Sequence, residues 1–246
     1  MARIVADTTP PIELATRARL QAGRPHDRLL TGVHRLASRA RSIASLRRLF
    51  GRWREVTARV EDRWRGITTE ALLVPEFATP RRDAHLYVPL AYGQTRRVLR
   101  ALRPGPEDVI ADVGCGLGRV VAIAAQLKVS HVIGVENDAD MADMARANIQ
   151  TLRSRRSPVE IITGDAATAD LSRVTMLILF NPFGPSTMRA MLDRLGTSLT
   201  ENPRVVRIAY VNPTAEQELE GCQWLKRTAT RSSVRFRHTV TLWQSR

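Results

Sequence analysis

From residue 92 onward, the chain alternates between two patterns of hydrophobic residues. Short apolar runs predict buried strands, and longer stretches in which apolar residues recur every three or four positions predict amphipathic helices. The predicted strands are Val109–Val113, His131–Glu136, Val159–Thr163, Met176–Phe180 and Arg204–Val211. The predicted helices are Tyr92–Leu102, Arg119–Leu127, Asp138–Arg153 with Asp138 as its N-cap, one that begins at Ser186, and Ala215–Glu220. Strands that alternate with helices predict an α/β fold whose parallel sheet carries helices on both faces.

The last two segments alternate strictly between apolar and polar residues. Trp224–Thr230 and Val234–Trp243 predict an antiparallel pair of strands joined near Ser232-Ser233. The sheet is therefore expected to end in a hairpin at one edge.

The first third of the chain predicts three segments before the domain 92–246. Residues 1–25 lack a sustained period and are expected to be a flexible N-terminus. Residues 26–66 predict a basic extension of two amphipathic helices, and residues 67–91, with three prolines, predict a connector or lid. The second helix has an apolar stripe, which we expect to pack on the domain rather than on a membrane or RNA: Trp53, Val56, Val60 and Trp64.

Charge is concentrated in the same extension. The 246 residues carry a net charge of +14, and residues 1–66 alone hold 15 arginines against six acidic residues. Such a segment attracts nucleic acid, anionic lipid or an acidic protein. Cys115 and Cys222 form no metal-ligand pattern, and no apolar run is long enough to span a membrane, so we expect a cytoplasmic protein with reduced thiols and no metal.

A glycine loop lies between the first predicted strand and the helix that follows it. Gly114, Gly116 and Gly118 would let backbone approach a ligand closely and direct N–H groups at it from a helix N-terminus. The spacing is G-x-G-x-G, whereas a dinucleotide fingerprint needs a glycine at position 119, where this chain has Arg119. Glu136 ends the second strand, 22 residues after Gly114, and its carboxylate can accept hydrogen bonds from both ribose hydroxyls.

These segments resemble the class I methyltransferases that use S-adenosyl-L-methionine (SAM). The resemblance rests on residues 112–118 (DVGCGLG) and 132–136 (VIGVE), with 164–166 (GDA) as a weaker third motif, and it covers about residues 85–246. It implies the Rossmann-like, seven-stranded sheet of that family, with its C-terminal antiparallel hairpin. It also implies SAM as cofactor.

The resemblance further implies a role for each residue of these motifs. The three glycines of the loop would approach the methionine part of SAM, and Asp112 would help hold its amino group. Glu136 would bind the ribose. Asp165 would bind the adenine N6, with Ala166 supplying backbone contacts.

The candidate catalytic residues are Asn181, Pro182 and Phe183, directly after the fourth predicted strand. Ligands of open α/β sheets bind at that end of the strands. The Asn181 side-chain carbonyl could orient an amine, and Phe183 could cover the methyl group or stack on a flat acceptor. The segment resembles the Asn/Asp-Pro-Pro-aromatic motif of enzymes that methylate amino groups, although Phe replaces the second Pro. A simple turn at the end of a strand is the alternative.

A second likeness concerns the acceptor. The run from Tyr87 and Pro89 through the glycine loop to Asn181 and Phe183 looks like the Dot1-type lysine methyltransferases and their small bacterial relatives. We therefore expect a SAM-dependent methyltransferase that acts on a protein amine or another amine. The alternatives are an RNA or DNA methyltransferase that uses the basic helices, a small-molecule methyltransferase, and a SAM-binding regulatory protein without transfer activity. The acceptor itself stays unnamed.

Overall fold

The computed structural model describes residues 56–70, 87–233 and 238–246, which all belong to one compact unit, Arg54–Arg246. The strands are β1 (Val109–Val113), β2 (His131–Glu136), β3 (Val159–Thr163), β4 (Met176–Phe180), β5 (Arg207–Val211), β6 (Leu225–Ser233) and β7 (His238–Ser245). The helices are α1 (Tyr92–Leu102), α2 (Arg119–Ala125), α3 (Ala139–Thr151), α4 (Pro185–Glu201) and α5 (Glu216–Glu220). Residues 56–65 are also helical.

All seven strands belong to one sheet, in the order β3-β2-β1-β4-β5-β7-β6. The five strands from β3 to β5 pair in parallel, and β7 pairs antiparallel with both β5 and β6. The predicted Rossmann-like sheet with a C-terminal hairpin is therefore confirmed. Because the strand order reverses between β1 and β4, the loops after these two strands diverge and leave a crevice at the carboxyl end of the sheet.

Both faces of the sheet are covered, which explains the continuous apolar runs in the central strands. Every residue of β1 is buried, and so are the first four residues of β4. One core cluster lies beneath α1 and α2, and a second lies beneath α4 and α5. No helix in the described part of the chain is long and apolar enough to cross a membrane.

The bounds of β1 to β4 and of α1 agree with the sequence prediction residue for residue. Asp138 is the N-cap of α3, and its carboxylate accepts from the N–H groups of Asp140 (3.0 Å) and Met141 (3.1 Å). The predicted start of β5 at Arg204 was wrong. The Arg204 guanidinium donates to loop carbonyls, including that of Val174 (2.9 Å), and the strand begins three residues later.

The predicted position of the hairpin joint was also wrong. Ser232 and Ser233 pair with Thr239 and His238, so β6 continues through both serines. Serine is compatible with an edge strand as well as with a turn, and the regular alternation of polar and apolar residues hid the difference. The tip of the hairpin lies outside the described residues.

The packing predicted for the second basic helix was wrong over its described part. Val56, Val60 and Trp64 are 56%, 63% and 63% exposed, so this stripe does not pack on the domain. The buried side of residues 56–65 carries two charged residues instead, Asp62 and Arg65. The physical reason is that both groups find hydrogen-bond partners: Asp62 in Thr69 and Tyr92, and Arg65 in the side chain of Gln126 (3.1 Å). Trp53 and residues 1–52 lie outside the described part of the chain, as does most of the predicted connector.

Candidate cofactor and acceptor site

The glycine loop turns over the end of β2. The N–H groups of Gly114 and Cys115 both donate to the carbonyl of Val135, at 2.8 and 3.0 Å. Gly114, Gly116 and Gly118 have φ angles of 78°, 51° and 81°, in the left-handed region that side chains disfavour. The loop therefore needs glycine for its backbone conformation at all three positions.

Close neighbours add a second requirement for glycine. A Cβ atom on Gly114 would lie 2.4 Å from Cβ of Pro182, and one on Gly116 would lie 2.1 Å from the Tyr87 ring. The loop from β1 thus touches the segment after β4 on one side and Tyr87 on the other. The contact between Gly114 and Pro182 brings the predicted cofactor loop and the predicted acceptor segment together.

Glu136 is held beside the same loop by two backbone donors. One oxygen of its carboxylate accepts from the N–H of Gly116 (2.7 Å), and the other accepts from the N–H of Asp138 (3.0 Å). Each carboxylate oxygen can accept more than one hydrogen bond, so this anchoring leaves capacity for a ligand. Burial raises the pKa of Glu136 above its ordinary value, and the backbone N–H groups partly oppose this effect.

Asp112 lies within β1 and is 4% exposed. Burial raises the pKa of its carboxyl to about 8, and the nearby charge of Glu136 adds to this effect. A cation placed beside Asp112 would favour the ionised form and reverse that shift. The site therefore suits the positively charged amino group that the resemblance assigns to it.

Asp165 and Ala166 follow β3 next to Glu136. The N–H of Gly164 donates to the backbone carbonyl of Glu136 (2.8 Å), which joins the two strand ends. The Asp165 carboxylate accepts from the N–H of Ala167 (2.9 Å) and so fixes the turn, while Ala166 is buried. These residues stand at the edge of the sheet where the resemblance puts the adenine.

Asn181 adopts a left-handed conformation (φ 43°) directly after β4. Its side-chain oxygen accepts a hydrogen bond from the hydroxyl of Thr214, in the loop after β5. Phe183 is 6% exposed and belongs to the core cluster beneath α4. A ring contact with an acceptor would require Phe183 to leave that core, whereas Asn181 and Pro182 already stand at the crevice.

A buried polar network beside the loop was not predicted from the sequence. The Asp62 carboxylate accepts from the N–H (2.7 Å) and hydroxyl (2.8 Å) of Thr69 and from the hydroxyl of Tyr92. Arg119, the first residue of α2, donates to the Thr69 hydroxyl (2.7 Å) and forms an ion pair with Glu70 (2.8 Å). The ring of Tyr92 also lies 4.8 Å from the Arg119 guanidinium.

The side chains of Asn148 and Tyr87 also join the same segment to the glycine loop. The Asn148 amide of α3 donates to the carbonyls of Thr68 and Leu117, both at 2.9 Å, and its oxygen accepts from the Thr68 N–H (2.8 Å). The Tyr87 hydroxyl donates to the carbonyl of Thr69 (3.0 Å). Residues 62–70 are therefore tied to the glycine loop through Asn148 and Tyr87. Burial raises the pKa of both Tyr87 and Tyr92.

Cys115 lies in the glycine loop, and sequence analysis assigns it no chemical role. Cys115 is buried, and burial raises the pKa of its thiol, which opposes a role as nucleophile. No group of three or more potential metal ligands occurs among the residues that the structure describes.

Comparison with known proteins agrees with this geometry. Residues 110–202 match a family described as "Methyltransferase domain". A protein-lysine N-methyltransferase of Saccharolobus islandicus is 30% identical over 95 residues, which cover 38% of this chain and 58% of that protein. A protein-L-isoaspartate O-methyltransferase of Aeropyrum pernix is 33% identical over 89 residues, 32% of this chain and 34% of that protein.

Among solved structures, an RNA methyltransferase of Salinibacter ruber, determined with S-adenosyl-L-homocysteine, superposes with a TM-score of 0.51. It is 25% identical and covers 64% of this chain and 94% of that one. The matched part spans only about half the length of the curated relatives, 58% and 34% of the two named above. Residues 110–202 therefore match a methyltransferase domain, and the sheet that contains them has the fold of class I SAM-dependent methyltransferases.

Proposed function

We propose that this chain transfers the methyl group of SAM to an amino group of a protein, with a lysine side chain as the first candidate. The observation that carries the proposal is the contact between Pro182 and Gly114, which sets Asn181 beside the cofactor loop. The name of the relative from Saccharolobus islandicus, a protein-lysine N-methyltransferase, supports the same acceptor.

The cradle around the loop fits SAM. Gly114 and Gly116 give the loop the backbone conformation that presents its N–H groups, Asp112 offers a carboxylate for an amino group, and Glu136 offers one for the ribose hydroxyls. Asp165 and Ala166 would complete the adenine side. When bound, the cofactor supplies a methyl group that its sulfonium has already activated, so the protein's task is mainly to position the acceptor.

Asn181 would do that positioning. Its side-chain oxygen is held by the hydroxyl of Thr214, and a carbonyl oxygen has a second lone pair for an amine N–H. An N–H held in this way would aim the lone pair of the nitrogen toward the cofactor. The apolar surface of Pro182 would lower the pKa of a bound lysine by desolvation and favour its neutral, nucleophilic form.

A second candidate acceptor is RNA. It is supported by the structural likeness to the Salinibacter ruber protein and by the 15 arginines among residues 1–66. If these arginines bind nucleic acid, the logarithm of the binding constant would fall linearly with the logarithm of the salt concentration.

The test uses the full chain, SAM labelled in its methyl group, and a cell extract. Transfer of label into protein, recovered as methyl-lysine after acid hydrolysis and lost with Asn181→Ala, is the expected result. Label that ribonuclease releases would favour RNA and overturn the first proposal. SAM binding by calorimetry without any transfer would indicate a regulatory protein, and absence of SAM binding would contradict every version of the proposal.

A further inference from the structure

A basic groove lies between α1 and the outer strands of the sheet, away from the glycine loop. Its volume is about 500 Å³. Four arginines line it: Arg97 and Arg100 from α1, Arg103 directly after that helix, and Arg231 from β6. No acidic residue occurs among its described lining residues, so the groove carries a local excess of positive charge.

Eight arginines elsewhere in the described domain form ion pairs with acidic residues. Arg189, for example, is paired with Glu218 (2.9 Å). By contrast, the side chains of Arg100, Arg103 and Arg231 form no hydrogen bond or ion pair with any described residue, and all three are exposed. Guanidinium groups gathered in one groove repel one another, and a bound anion would relieve that repulsion.

The floor of the groove supplies an independent sign of a ligand. Val98, Ala101 and Val240 form its apolar part. Gln94 also lines it, is 4% exposed, and has a buried Nε2 atom without a hydrogen-bond partner among the described residues. Buried amide donors are satisfied in the great majority of native structures. A ligand with an acceptor oxygen would satisfy this one if the Gln94 amide turned toward the groove, because the atom is closed to solvent in the present side-chain position.

The residues that line the groove favour an acidic peptide over a single-stranded nucleic acid. Grooves for single-stranded nucleic acid combine positive charge with aromatic side chains on which bases stack. The described lining contains no aromatic residue, whereas the planar fork of arginine matches a carboxylate with two parallel hydrogen bonds. From residue 94 to residue 103 the helix rises by about 14 Å, which accommodates about four residues of extended peptide.

We infer that this groove binds an acidic segment of the protein substrate, close in sequence to the methylated amino group. The inference rests on the proposed function. The position of the groove agrees with it, because Val240 pairs with Val211 at the carboxyl end of β5. That end of the sheet also carries Asn181, so a peptide leaving the groove reaches the acceptor site.

The test measures binding directly, without SAM and without methyl transfer, so its failure is distinct from failure of the proposed function. The probe is a fluorescein-labelled hexaglutamate peptide, and hexauridylate RNA is the competing probe; fluorescence anisotropy is recorded with the full chain at one salt concentration. The variants are Arg100→Glu/Arg231→Glu and Gln94→Leu. The matched control is Arg155→Glu/Arg156→Glu. These two exposed arginines lie next to β3, at the opposite edge of the sheet.

The groove variant should weaken hexaglutamate binding by at least about tenfold, since charge reversal replaces attraction with repulsion. Gln94→Leu should weaken it about three- to tenfold through loss of one hydrogen bond to a charged group. The control should change it less than about twofold, because charges that far from the groove are screened. Equal loss in groove variant and control would overturn the inference, as would RNA binding tighter than peptide binding through the same arginines.

Discussion

The buried carboxyl of Asp112 makes SAM affinity depend on pH in a way that can be calculated. Its pKa is about 8 in the protein without ligand, because burial and the charge of Glu136 both favour the protonated form. The amino group of SAM would bind the ionised form. Below pH 8, binding must therefore first remove a proton from Asp112, and the affinity should be lower than at high pH.

The size of the effect follows from the fraction of Asp112 that is ionised. With a pKa of about 8, the apparent Kd should exceed its high-pH limit by about 100-fold at pH 6, about 11-fold at pH 7 and about twofold at pH 8. Asp112→Asn removes the titrating group and should flatten this dependence. The amino group of SAM itself titrates near pH 8, but it does so equally for both proteins.

Isothermal titration calorimetry at pH 6, 7, 8 and 9 tests the calculation. The ratio of the Kd of the original protein to that of Asp112→Asn isolates the contribution of Asp112, and it should fall steadily toward pH 9. Titrations at pH 7 in buffers of different ionisation enthalpy should also reveal release of close to one proton per SAM bound. A ratio that is the same at pH 6 and pH 9 would refute the reasoning.

The same carboxyl affects stability with a sign that can be worked out. Its folded-state pKa of about 8 lies above the ordinary value of 3.8, so between these pH values the folded state holds a proton that the unfolded state has lost. The contribution of Asp112 to the free energy of unfolding should therefore fall as the pH rises over this range, by about 1.4 kcal/mol per pH unit, and level off above pH 8. Asp112→Asn should be more stable than the original protein at pH 8 by chemical denaturation, although it binds SAM less tightly there.

Three further substitutions test the loop and the acceptor side. Glu136→Ala should weaken SAM binding by about 1–3 kcal/mol in calorimetry, through loss of hydrogen bonds to a charged group. Asn181→Ala should lower kcat for methyl transfer more than it lowers SAM affinity, because the proposed role of Asn181 is to position the acceptor. Gly116→Ala should lower both SAM affinity and the melting temperature, since the new Cβ would lie 2.1 Å from the Tyr87 ring at a φ of +51°.

Each substitution has a matched control in the chain. Glu201→Ala removes an exposed carboxylate at the end of α4 and should leave SAM affinity unchanged. Asn212→Ala alters the other Asn-Pro turn, with a similar left-handed Asn (φ 53°), and should spare kcat. Gly93→Ala adds a Cβ to α1 with nothing within 4 Å and should be neutral or stabilising. Equal effects in a substitution and its control would remove the residue from its proposed role.

The sequence predicted those features whose cause is local. The four apolar runs that became β1 to β4 have the right bounds because strands buried on both faces need uninterrupted apolar residues. The glycine loop could be predicted because its spacing and its place between a strand and a helix are read from neighbouring residues. Asp138 could be assigned as an N-cap for the same reason.

Features that depend on distant partners were missed. Asp62 bonds to Tyr92, 30 residues away, and Arg119 to Thr69, 50 residues away, so no periodic pattern connects them. The apolar stripe of the second basic helix misled the prediction, because hydrophobic periodicity ignores buried ion and hydrogen-bond networks. Phe183 was predicted from motif position alone, which does not reveal that its ring points into the core.

The network around Asp62 has a consequence for where the folding unit begins. A chain shortened to start at residue 92 would keep every strand of the sheet, yet it would leave the buried Arg119 guanidinium without the Glu70 carboxylate and the Thr69 hydroxyl. Removal of the covering segment would open this guanidinium to water, and the loss of its two charge-assisted hydrogen bonds would cost about 1.5–3 kcal/mol each, a large share of the stability of an ordinary domain. Residues 62–70 are thus as indispensable to the sheet's first crossover as an internal loop is, although they precede the sheet in sequence.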